Sequence, residues 1–118
     1  MRLVFSTIFI LLILNTSAQT KEDKWNAFVT NFENALNKRD KSKLISLVAP
    51  KLEGEGLTNV EWVTEILSNT AELSKIKKTL LAKTQKGVGH DKMKCYQALC
   101  LYFDYKNNNW LLADAFED

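Results

Sequence analysis

The stretch that decides the fold is Trp25-Asn26-Ala27-Phe28-Val29-Thr30-Asn31-Phe32-Glu33-Asn34-Ala35-Leu36. Trp25, Phe28, Val29, Phe32, Ala35 and Leu36 fall on one stripe of a 3.6-residue helix, while Asn26, Thr30, Asn31, Glu33 and Asn34 fill the other face. Thr20-Lys21-Glu22-Asp23 ahead of it resembles a capping box with Asp in place of the usual Glu. Asn37-Lys38-Arg39 closes it, with cations at the negative end of the helix dipole. An amphipathic helix this rich in aromatics needs a large apolar partner, and the rest of the chain must supply it.

Working outward toward the C-terminus, Asp40 caps a second, shorter helix whose apolar face is Leu44, Ile45, Leu47 and Val48, and Pro50 stops it. Gly54 and Gly56 make residues 51–57 a loop or a short irregular strand. Thr58-Asn59-Val60-Glu61 is a full capping box for a third helix, with Val60, Val63, Ile66 and Leu67 inward and Trp62 to one side. Between Thr70 and Lys86 two periodicities compete. Leu73, Ile76 and Leu80 fit a helix continuing from the third, but Ile76 to Lys83 also fits a strand, and the expectation is a strand beginning near Ser74. Gly87 and Gly89 mark a turn.

Residues 93–105 read as an alternating strand. Met93, Cys95, Leu99, Leu101, Phe103 and Tyr105 share one face, and Lys94, Tyr96, Ala98, Cys100, Tyr102 and Asp104 the other. Both faces are apolar near the middle, so this segment reads as a central strand covered on both sides. Lys106-Asn107-Asn108-Asn109 is a hairpin connection, and Trp110 to Phe116 is the return strand. Helices before antiparallel strands give an α+β domain, with three helices covering one sheet face.

Toward the N-terminus, Arg2 precedes an apolar run from Leu3 to Leu14, followed by Thr16 at −3 and Ala18 at −1 of a cleavage site before Gln19. A membrane span needs about 20 apolar residues, and this run is about 12. The expected organisation is a signal peptide over 1–18 and one domain over 19–118, in a secreted or periplasmic protein that meets the membrane only during export. The first cysteine is Cys95, so no residue after the apolar run offers itself for lipid attachment.

The composition is that of an ordinary globular chain: 118 residues, 46% hydrophobic, 25% charged, net charge +2. It excludes a collagen, a coiled coil, a multi-span membrane protein and a disordered charged tail. No global field points to nucleic acid. In one continuous strand Cys95 and Cys100 would lie about 16 Å apart on opposite faces, and a disulfide needs about 7 Å or less. A bridge would require a tight turn at Tyr96-Gln97-Ala98-Leu99, which holds no Gly, Pro, Asn or Asp. The cysteines are therefore expected free, packed as small hydrophobes. With one His in the chain, no zinc site is expected, and no motif calls for a cofactor.

Charge is distributed in blocks. Glu53, Glu55, Glu61, Glu65 and Glu72 make residues 52–74 purely acidic, while Lys75, Lys77, Lys78, Lys83, Lys86, Lys92 and Lys94 make residues 75–94 strongly basic. The basic block would suit an acidic protein partner, as in an inhibitor-type module. It would equally be neutralised by neighbouring elements and guard a sheet edge. His90-Asp91, directly after the Gly87–Gly89 turn, invites a general-base reading, but adjacent side chains in a turn point apart and no nucleophile is placed beside them.

The aromatic helix running into Asn37-Lys38-Arg39-Asp40, then Leu44 to Pro50, and the closing Leu101-Tyr102-Phe103-Asp104-Tyr105, Asn turn and Trp110-Leu111-Leu112-Ala113-Asp114 together resemble the NTF2-like, cone-shaped α+β superfamily. The resemblance implies helices packed into the concave face of a curved antiparallel sheet, and sheets that often pair as homodimers. It does not choose an activity. Isomerases of that superfamily use a pocket Asp beside a Tyr hydroxyl, so Asp104 or Asp114 with Tyr96 or Tyr102 would be the corresponding pair. The favoured expectation is non-catalytic binding of a small apolar ligand or a protein, with Trp62, Tyr96 and Tyr102 lining the pocket. Ordinary core packing is the plainer use of each of these aromatics.

Overall fold

A computed structural model describes residues 20–118. The signal segment expected over 1–18, and its cut before Gln19, lie outside the described residues. Helix α1 (Lys21–Lys38) begins as expected: the Thr20 hydroxyl accepts from the Asp23 N–H at 3.1 Å, and the Asp23 carboxylate accepts from the Thr20 N–H at 3.2 Å. It ends where Arg39 turns left-handed, at φ 52°. Trp25, Phe28, Phe32, Ala35 and Leu36 are buried.

Asp40 caps α2 (Lys41–Ser46), accepting from the Lys43 N–H at 3.1 Å. This helix is shorter than expected. Leu47 and Val48 leave it to bond the free edge of the last strand, where the Leu112 N–H donates to the Leu47 carbonyl at 2.9 Å and the Ala49 N–H to the Leu112 carbonyl at 2.8 Å. An unpaired buried edge is costly, and these two bonds cover it. A short ribbon follows, β1 (Lys51–Leu52) against β2 (Leu57–Thr58), with Leu52 fully buried.

Helix α3 (Asn59–Ser68) has the reciprocal Thr58–Glu61 cap. Its buried stripe is rotated from the expected one: Trp62 is 4% exposed and Val60 is 48% exposed. Residues 74–80 are helical, correcting the expected strand. Asn69 accepts from the Ala71 and Glu72 N–H groups and starts α4 (Thr70–Leu80), with Leu73, Ile76 and Leu80 buried. The described residues thus hold four helices rather than three. A polar N-cap in the middle of a helical pattern restarts the helix on a new axis.

Four strands, β3 (Thr84–Lys86), β4 (Lys92–Tyr96), β5 (Leu99–Lys106) and β6 (Asn109–Glu117), form an antiparallel meander in sequence order. The helices pack against this sheet, so the α+β class holds. The single strand expected over 93–105 is in fact two. A two-residue turn, Gln97-Ala98, joins them, with Gln97 at φ 54° although it is neither Gly nor Asn. Cys95 then lies opposite Cys100, their Cα atoms 4.1 Å apart, and the two form a disulfide. The expectation of free cysteines is corrected: the bridge holds closed a turn whose own residues favour it weakly.

The turn also inverts the parity of β4 relative to β5. Lys94, not Met93, shares the helix-facing side with Leu101, and is 6% exposed. Its ammonium donates to the Ala82 carbonyl at 2.7 Å, and burial pushes its pKa down. Asp104 stands on the opposite face. There, Met93, the disulfide, Tyr102 and Leu111 are only half-buried, so among the described residues the sheet is covered on one face, not two.

The β5–β6 turn is as expected, with Asn107 and Asn108 both left-handed at φ 52° and 63°. A bulge lets Ala113 slip between the Tyr102–Asp114 and Phe103–Leu112 pairs. Phe103 meets Trp25 at 5.0 Å and Phe28 at 5.8 Å between ring centroids, and Trp25 meets Trp110 at 4.9 Å. The Trp110 indole N–H donates to the Lys21 carbonyl at 3.1 Å, tying the last hairpin to the first turn of α1.

Candidate functional site

The helix register that buries Phe28 also exposes a neighbouring stripe: Lys24, Ala27 and Asn31 stand beside Phe28 at i, i+3 and i+7. Lys43 on α2 and Leu47 just beyond its end close one side, and Asn108 in the β5–β6 turn with Asn109 and Trp110 at the start of β6 close the other. The result is an open cleft of about 370 Å³. Ala27 is the small residue that leaves it open. The floor is apolar, made by Phe28, Leu47 and Trp110. The rim is polar and positive. The Lys24 ammonium reaches the Asn108 carbonyl at 3.4 Å, the Lys43 ammonium has no ion-pair partner among the described residues, and no carboxylate lines the cleft. Such a cleft can bury a hydrocarbon body and hold an anionic or carbonyl oxygen at its edge.

The three aromatics expected to line a pocket are not brought together. Trp62 is buried under α3 and lines a separate, smaller cavity. Tyr96 is exposed at the β4–β5 turn. Tyr102 stands on the uncovered sheet face, 5.1 Å from the His90 ring. In the sequence Phe28, Leu47 and Trp110 read as core, Asn31 as the polar helix face and Asn108 and Asn109 as a turn; the one local signal for the larger cleft is Lys24, Ala27 and Asn31 repeating beside the aromatic stripe.

His90, Asp91 and Asp104 do meet, as a clasp on the β3–β4 turn. His90 Nδ1 lies 3.0 Å from Asp104 Oδ2, and the Asp91 N–H donates to Asp104 Oδ1 at 3.0 Å. Asp91 in turn accepts from the Tyr105 N–H at 2.8 Å. Asp114 accepts from the Gly54 and Ala115 N–H groups, both at 2.8 Å. Neither Asp104 nor Asp114 bonds a Tyr hydroxyl among the described residues. Each already holds backbone in place.

Partial burial pushes the Asp104 carboxyl up, but the bonds from His90 and the Asp91 N–H, with the charge of His90, outweigh it and hold the pKa below the ordinary value. A lowered folded-state pKa stabilises the fold above the unfolded value of about 3.9, and that contribution disappears as pH falls through the folded pKa. Asp104→Asn should therefore be clearly less stable than the parent at neutral pH, and the difference should shrink in strong acid. Urea unfolding at both pH values checks this; an equal difference at both would mean that the carboxylate charge is not what matters.

The basic block is partly spent inside the molecule. Lys75 pairs with Glu117 at 2.5 Å and Glu72 at 3.5 Å, Lys92 pairs with Glu22 at 2.7 Å, and Lys94 is buried. Lys77, Lys78, Lys83 and Lys86 have no ion pair among the described residues. Lys83 and Lys86 flank or end β3, whose outer edge is unpaired, as lysines do on guarded edges. Among the described residues no three His, Cys, Asp or Glu side chains are grouped to hold a metal ion, and no helix is long and apolar enough to cross a membrane. A scan of protein-family models and searches of curated proteins and solved structures find no match to this chain.

Proposed function

We propose that this protein is an exported, non-catalytic binding domain of NTF2-like build, and that the cleft between α1, α2 and the β5–β6 turn takes a small amphipathic molecule with an apolar body and an anionic end. The observation that carries the reading is the cleft itself: about 370 Å³, floored by Phe28, Leu47 and Trp110 and rimmed by Lys24 and Lys43 without an opposing carboxylate. That volume lies within the range of small-molecule sites, roughly 300–1,000 Å³. An apolar floor supplies affinity, and a charge-assisted bond at the rim orients the ligand. Helices laid against an antiparallel meander support the NTF2-like build. The Cys95–Cys100 disulfide accords with an oxidising compartment.

The reading is tested by calorimetric titration with three ligands of one chain length, octanoate, octanol and octylammonium. Octanoate should bind saturably and best, and octylammonium worst. Lys43→Ala or Lys24→Ala should weaken octanoate about tenfold, the worth of one charge-assisted hydrogen bond. Ala27→Trp, on an exposed helix position, should fill the cleft and abolish binding without unfolding the protein. Equal binding of the carboxylate and the ammonium, or undiminished binding by Ala27→Trp, would end the proposal. Reversing Lys77 and Lys78 to Glu separates it from a protein-interaction role for the basic block, since octanoate binding should not respond to that change.

A further inference from the structure

Edge protection accounts for only part of the basic block. Lys83 and Lys86 guard β3, the edge strand. Lys77 and Lys78 stand instead on the last turn of α4, and like Lys83 and Lys86 they have no ion pair among the described residues. From Ser74 to His90 the chain holds no carboxylate side chain. A second observation is independent of charge. Among the described residues only two large apolar side chains are more than half exposed, Leu81 at 72% and Val88 at 83%, and both lie in this segment. Leu81 caps α4, so Lys77 and Lys78 stand beside it at i−4 and i−3, and Lys83 follows two residues on. Val88 lies in the turn after β3, two residues beyond Lys86 and between Gly87 and Gly89. The strand between the two apolar tips spans only about 10 Å, at about 3.3 Å per residue, so tips and lysines line one edge of the domain.

We propose that this edge docks on the surface of an anionic lipid bilayer, with Leu81 and Val88 entering the headgroup layer and Lys77, Lys78, Lys83 and Lys86 resting on the anionic headgroups. Attachment of this kind grows with the apolar area buried and with the attraction to anionic lipids, and it needs no membrane-spanning helix. Each lysine held near an anionic surface is worth about fivefold in affinity, within a screening distance of about 8–10 Å. The composition of the edge favours lipid over other partners. Protein interfaces are enriched in aromatics and Arg and depleted in Lys, and residues 75–90 hold no Phe, Tyr, Trp or Arg. Single-stranded nucleic acid is held by stacking on such aromatics, which are likewise absent. Leu81 and Val88 protrude, where a bilayer can receive them, and line neither of the two cavities. The membrane contact expected of the signal segment ends with export; this edge gives the folded domain one of its own.

The test is cosedimentation of the protein with vesicles of phosphatidylcholine alone and with vesicles in which about 30% is anionic phosphatidylglycerol. The protein should pellet with the anionic vesicles and not with the neutral ones, and added salt should release it. Lys77→Gln with Lys78→Gln should lower the affinity about 25-fold, two lysines at about fivefold each. Leu81→Asn with Val88→Asn keeps every charge and should lower it about tenfold or more, through the lost apolar burial. None of these four side chains belongs to the core, so both double variants should unfold like the parent. No pelleting with the anionic vesicles, or pelleting indifferent to either the lysine pair or the apolar pair, overturns the inference. Polyglutamate held as tightly as the vesicles would assign the edge to an acidic protein and also overturns it. Neither double variant should alter octanoate binding, and Ala27→Trp should leave vesicle binding unchanged, so this inference and the proposed function fail separately. Vesicle binding abolished by Ala27→Trp would place the lipid in the cleft and overturn the docking edge.

Discussion

Phe103→Ala is expected to destabilise the protein by about 3–5 kcal/mol, the usual range for emptying a buried aromatic site. Phe103 is fully buried on the central strand β5, with Trp25 and Phe28 on its two sides and Leu112 opposite. None of these rings can collapse into the space easily. Trp25 is wedged against Trp110, whose N–H is already committed to Lys21. The loss is a large fraction of the roughly 5–15 kcal/mol that holds a domain together, and in a domain of this size it should lower Tm by more than about 15 °C. Phe116→Ala is the control. Phe116 lies on the uncovered face of the same sheet and is 45% exposed, so its removal should cost less than about 1 kcal/mol. Equal costs at the two positions would mean that the outer face is packed as heavily as the helix-facing one.

Much of the fold was legible because its determinants are local. The Thr20 and Thr58 caps, the aromatic stripe of α1 and the Asn107-Asn108 turn each act within a few residues, and each stands where the pattern puts it. The failures have a common cause in tertiary contacts that outweigh local preference. Gln97 adopts a left-handed conformation that its side chain does not favour, because β4 and β5 pair on either side and the Cys95–Cys100 bond closes them. Without that turn, one continuous strand puts Lys94 on the face opposite to the helix-facing one it occupies. Leu73, Ile76 and Leu80 were compatible with two periods, and the deciding residue, Asn69, lay just outside the ambiguous window. The candidate sites were hardest to see. The cleft draws on residues 24–31, 43–47 and 108–110, and the smaller cavity on 55, 62–76, 99 and 117, so neither exists until the chain is folded. Of the expected site residues only Trp62 lines either one.

Gly54→Ala is the second large expected effect, and its cause is steric rather than conformational. A β-carbon there would sit 2.4 Å from the Ala115 carbonyl oxygen and 3.2 Å from Asp114 Oδ1. The carbonyl belongs to β6, so it cannot step aside without disturbing the β5–β6 pairing. The β1–β2 ribbon must move instead, which breaks the 2.8 Å bond from the Gly54 N–H to Asp114 and loosens the fully buried Leu52. Overpacking of this kind costs about 1–3 kcal/mol, and the lost hydrogen bond to a charged group about 1.5–3 more. Gly56→Ala makes the comparison. Nothing lies within 4 Å of a β-carbon at Gly56, and only its φ of 67° resists the change, so the cost should be about 1–2 kcal/mol. Asp114→Ala combined with Gly54→Ala should cost less than the two singly, because both sever one contact. Chemical denaturation of the four variants decides it. If Gly54→Ala were as mild as Gly56→Ala, the ribbon would not be pressed against β6.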